Sequence, residues 1–152
     1  NIKVNDANKE QYSEINLLYE TLILKYNQNR ALVPIIIDYA RFLCFEQGNS
    51  VEATSILKEK LKISYPITSV AQIKLALGDI LVYQERFDEA LIYYTQVQLS
   101  LKNSPIAQEA RFRVAKTSFY KGDFKWAETQ LKVLKSSISQ EKSNNVKICI
   151  SL

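Results

Sequence analysis

The sequence has no histidine and no methionine, and only three glycines, three prolines, two cysteines and one tryptophan in 152 residues. Without histidine the chain cannot supply a Ser-His-Asp or Cys-His triad, a His-ligated zinc or a histidine proton shuttle. So few glycines and prolines argue against a β-sandwich or barrel, whose many turns need them. The glycines at 48, 78 and 122 are isolated, so no glycine-rich phosphate loop is expected. Cys44 and Cys149 lie far apart and outside any CxxC pattern. They read as small apolar core residues, and their spacing leaves a disulfide open. Long apolar runs are lacking too. Val-Pro-Ile-Ile-Ile at 33–37 falls far short of the roughly 18 residues that cross a bilayer. With no methionine and no signal-peptide pattern at its start, the chain reads as a fragment or processed form.

What is present is ordinary for a globular domain: 47% hydrophobic and 24% charged residues, enough for one sizeable core. The net charge is +4, with 9 basic and 8 acidic residues in 1–75 and 11 and 8 in 76–152. That surplus is spread out. Phosphate backbones require clustered cations, so nucleic acid is not an expected partner. Acid pairs such as Asp88-Glu89 open a helical pattern, where carboxylates favour the positive end of the dipole. No residue set suggests catalysis, a metal or a cofactor. An enzyme with a small-molecule substrate is not expected.

The informative feature is a repetition. VYQERFDEALIYY at 82–94 and FYKGDFKWAETQL at 119–131 share a tyrosine, a phenylalanine and an alanine at matched places: Tyr83/Tyr120, Phe87/Phe124 and Ala90/Ala127. Ala53 stands at the same 37-residue interval before Ala90. Ahead of each stretch apolar residues return at three- and four-residue steps, as in a helix with one buried face. Ala71, Leu75, Gly78 and Leu81 form one such series; Phe112, Ala115 and Phe119 fall in the other. Breaks at 47–50, 84–86 and 121–123 divide helix from helix, and connectors at 27–31, 65–68 and 103–105 divide pair from pair. Pro66 and Pro105 stand where a helix must begin. The spacing predicts an all-α chain, one domain over 1–152. It holds an orphan helix at about 6–27, pairs at about 31–65, 68–103 and 105–140, and a partial repeat at 144–152. Small residues at 53, 78, 90, 115 and 127 would let helices approach closely, and no pair buries its apolar face alone.

The series Leu77-Gly78-x-x-Leu81…Ala90…Tyr94…Val97 and Val114-Ala115-x-x-Ser118…Ala127…Leu131…Leu134 resembles the tetratricopeptide repeat. Residues 34–66 match less well, with Arg41 at the usual glycine place. The resemblance covers nearly the whole chain at a period of 37 rather than the family's 34. It implies a right-handed superhelix of about seven helices, an α-solenoid of antiparallel helix-turn-helix pairs. The phrasing around Asn103-Ser104-Pro105 and Gly122-Asp123-Phe124 is similar to bacterial envelope and Bacteroidetes members, which implies a periplasmic or envelope location while leaving the cytoplasm open. The family binds protein segments on the concave wall formed by the first helix of each pair. Mapped onto this sequence, that wall holds Asp38, Tyr39, Phe42 and Glu46, then Gln72, Ala76, Asp79 and Tyr83, then Glu109, Arg113, Lys116 and Tyr120. Tyrosine and arginine suit such a role because each joins contact area to directed hydrogen bonding. The family's carboxylate clamp is not implied. Of the corresponding places, Asp38, Phe42, Ala76, Glu109 and Arg113, only the arginine fits, and the acids would repel a carboxylate.

The expected function is therefore a scaffold or adaptor holding another protein or peptide segment. The second reading is a structural or oligomerising segment of a larger envelope protein, self-associating through an exposed terminal repeat. Trp126 is expected to pack on a neighbouring turn. Lysines 125, 132, 135 and 142 read as a solvated helix face.

Overall fold

The computed structural model describes residues 6–26 and 29–150, with side chains over 10–26, 29 and 31–139. Among the described residues the chain is all-helical, in seven α-helices. These are α1 (Asp6–Lys25), α2 (Val33–Arg41), α3 (Ser50–Lys60), α4 (Ile67–Tyr83), α5 (Phe87–Ser100), α6 (Pro105–Lys121) and α7 (Phe124–Ile150). Two compact units divide them, Asn1–Ile80 and Leu81–Leu152, with the boundary inside α4.

In the first unit α1 packs on α2, and α2 on α3. One stripe of α1 makes the contact: Tyr12 meets Phe42 edge-on at 5.5 Å, and Tyr19 stacks on Tyr39 at 4.9 Å. Between them Asn16 and Gln47 exchange amide hydrogen bonds of 2.8 and 3.3 Å. A 3₁₀ turn, Arg30–Leu32, leads into α2, where Pro34 fits because a first-turn N–H has no helical partner. Val33, Ile36, Ile37, Ala40 and Leu43 are buried. Burying each large aliphatic side chain contributes about 1.5–3 kcal/mol. The first helix of the pair expected at about 31–65 is not uniform up to the break at 47. From Phe42 to Glu46 it widens into a π turn, closed by the Gln47 N–H donating to the Phe42 carbonyl at 3.3 Å. Such a turn shifts the phase of the helix beyond it, and here both Leu43 and Cys44 are buried. The turn to α3 uses Gly48 at φ +72°. Asn49 then caps α3, its side chain accepting from the Glu52 N–H at 3.3 Å. In α4, Ala71, Ile73, Ala76, Leu77 and Ile80 are buried.

In the second unit α6 packs on both α5 and α7. The turn at 84–86 places Glu85 at φ +60° and starts α5, whose Ala90, Tyr94 and Val97 are buried. Ser104 caps α6, accepting from the Ala107 N–H at 3.2 Å, with Pro105 in the first turn. The buried face of α6 is made of small side chains: Ala107, Ala110, Val114, Ala115 and Ser118. Small residues let helix axes come together. Gly122, at φ +89°, ends α6 in the left-handed conformation, its N–H donating to the Phe119 and Ser118 carbonyls. Asp123 opens α7 by accepting from the Trp126 N–H at 3.2 Å.

Two expectations need correction. α7 continues unbroken to Ile150, so residues 144–150 extend it rather than begin another helix. Ser143, Asn144 and Asn145 carry only a modest helix penalty, below the cost of a glycine or proline. Trp126, expected to pack on a neighbouring turn, is half exposed and so covered only in part. Residues 27–28, where the first helix was expected to end, and 151–152 lie outside the described residues.

Candidate functional site

In the first unit the expected wall residues do not form one surface. Asp38 and Gln72 are exposed. Tyr39 is only 3% exposed and belongs to the core. It follows Ile36 by three and precedes Leu43 by four, so it shares their buried stripe. Its hydroxyl donates a long hydrogen bond of 3.3 Å to Glu20. Burial, then the Glu20 and Glu52 charges, push its pKa up to about 12. Phe42 is half-buried between Tyr12 and Tyr19. Ala76 is buried. Asp79 faces Arg41 across a 3.6 Å ion pair from α4 to α2. The Arg41 side chain is thus turned outward, at 45% exposure.

In the second unit the expected residues do assemble. Glu109, Arg113, Lys116 and Tyr120 recur on one stripe of α6. Glu109 pairs with Arg113, and Lys116 Nζ stands 5.8 Å from the centre of the Tyr120 ring. The Arg113 side chain is mostly covered, at 20% exposure, while Glu109, Lys116 and Tyr120 are exposed. Tyr83 is exposed as well, at the end of α4.

The stripe holds more than the sequence suggested. Phe112 and Phe119, expected on the buried face, stand outward at 47% and 58% exposure. Phe119 meets Tyr120 at 6.4 Å and Phe124 at 5.2 Å, both edge-on. The left-handed turn at Gly122 brings the Phe119 and Phe124 rings together. The result is a cluster of three exposed rings, Phe119, Tyr120 and Phe124, with Lys116 against Tyr120 and the exposed Phe112 two turns earlier on α6. No family model, curated protein or solved structure matches this chain.

The groups on this face set its chemistry. Aromatic rings give large contact area with little rotamer entropy to lose, and cations beside them hold acidic or aromatic partners. Lys121 is engaged with Asp88, which ties α6 to the start of α5. Lys125, Lys132 and Lys135 are exposed, and Lys132 pairs with Glu128 at 2.6 Å. Among the described residues no three His, Cys, Asp or Glu side chains gather to hold a metal ion, and no helix is long and apolar enough to cross a membrane. Cys44 is buried, which raises its thiol pKa.

Proposed function

We propose that the protein is a protein-interaction module of tetratricopeptide type, in which stacked helix pairs form a right-handed superhelix and act as a scaffold for a partner segment. The observation that carries this reading is the outward aromatic stripe of α6 with Phe124. Soluble domains rarely leave such rings contiguous and exposed without a use, and interface centres are enriched in aromatics and arginine. The mechanism is binding without chemistry. Residues on a helix face are already ordered, so the partner supplies most of the ordering cost. The exposed cation of Lys116 favours a segment carrying acidic and apolar residues together.

A paired affinity capture tests it. One bait is the chain itself; the other carries Phe119→Ser and Tyr120→Ala, with its helicity and melting checked. A protein retained by the first, lost from the second and bound directly when purified supports the reading. Equal retention by both baits refutes this face as the site. The second reading, a self-associating structural segment, draws on the exposed apolar residues of α7, Leu131, Val133 and Ile138. It predicts a concentration-dependent mass in sedimentation that Leu131→Lys abolishes.

A further inference from the structure

We infer that the cleft between α1 and α3 of the first unit is a second binding site, for a partner segment that sets an apolar side chain between lysines or arginines. The cleft is open to solvent, with a volume of about 430 Å³. That lies within the range of sites that hold ligands of moderate size. Its apolar part comes from Ile23 and Leu24 of α1 and Ile56 of α3. Leu24 is 75% exposed, so the mouth itself is greasy. Its charged part comes from Glu20 on one helix and Glu52 and Glu59 on the other, against one lysine, Lys60. Glu59 also pairs with Lys62 at 2.6 Å, an exposed pair of little strength. Glu20 and Glu52 carry the field, and the Tyr39 hydroxyl, which lines the same cleft, registers both.

This arrangement chooses its occupant. An anion is repelled. A neutral apolar group would cover the carboxylates and cost their hydration without return. A cation alone would leave Ile23, Leu24 and Ile56 wet. An apolar side chain flanked by cations satisfies both, because carboxylates stand on two helices with apolar surface between them. Such a segment is the electrostatic opposite of what suits the α6 stripe, and the inference stands whether or not that stripe binds anything.

Methyl and amide NMR titrations with capped pentapeptides at low salt provide the test. The probe is Gly-Lys-Leu-Lys-Gly; the controls replace both lysines by glutamate, or leucine by serine. Shifts are expected at Ile23, Leu24 and Ile56 with the probe and at neither control. Glu20→Gln with Glu52→Gln keeps the shape and is expected to weaken binding about tenfold, the scale of two partly exposed ion pairs. Leu24→Ser, at an exposed position, is expected to weaken it too. No shifts with the probe, shifts with the acidic control, or unchanged binding in both variants overturns the inference. Tetramethylammonium producing the same methyl shifts as the probe also overturns it, by making the site one for a free organic cation.

Discussion

Ser118 offers a test of the packing in the second unit through a substitution expected to stabilise. Its side chain is 1% exposed, and its hydroxyl has no hydrogen-bond partner. A buried hydroxyl left unpaired costs about 1–3 kcal/mol relative to one that keeps its water. Ser118→Ala removes that cost, and alanine is a better helix former by up to roughly 0.5 kcal/mol. Against this stands the void left by one oxygen atom, a loss of a few dispersion contacts at about 0.1–0.2 kcal/mol each. The net expectation is a gain of about 1 kcal/mol. For a chain of this length that is a rise of about 2–4 °C in Tm. The assay is urea and thermal unfolding followed by circular dichroism, comparing the wild type with Ser118→Ala. Ser118→Val serves as a size control, expected to lose stability because a side chain at 1% exposure has no spare room for two added carbons. A loss of 1 kcal/mol or more in Ser118→Ala would refute the reasoning, since the hydroxyl would then have a partner in the folded state.

Gly122→Ala is expected to destabilise by about 1 kcal/mol, from backbone strain alone, because φ is +89° and nothing lies within 4 Å of an added Cβ. Gly122→Asn is expected to lose less, and equal losses in chemical unfolding would argue against the left-handed turn. Tyr39→Phe is expected to change the alkaline behaviour. The folded pKa of about 12 exceeds the ordinary 10.0, so the phenol's contribution is complete below pH 10 and disappears as pH rises to about 12. It amounts to at most about 2.7 kcal/mol. The wild type therefore loses more stability than the variant between pH 9 and pH 11.5, and parallel losses in urea melts at the two pH values would refute this.

The sequence by itself determined the helices. The scarcity of glycine and proline, the apolar returns at three and four residues and the breaks at 47–50, 84–86 and 121–123 place all seven elements, because these are local properties of the chain. Gly122 and Ser104 perform at their helix ends the tasks their residue types suggest. Which side of a helix faces inward was another matter. On α6 the apolar series through Phe112, Ala115 and Phe119 looked like the core, yet only its alanine is buried, beside Ala107, Ala110, Val114 and Ser118. Two phases of one helix competed, and close approach of neighbouring helices favoured the smaller side chains, leaving the rings outside. On α2 the contest went the other way: Tyr39 was expected outside and lies in the core, stacked on Tyr19 of the preceding helix. The cleft between α1 and α3 has no sequence signal at all, since Glu20, Tyr39 and Glu52 meet only through packing. Periodicity sets that a helix forms and that one face is apolar. The tertiary structure decides which face is covered, because burial depends on what a neighbouring helix can fit against.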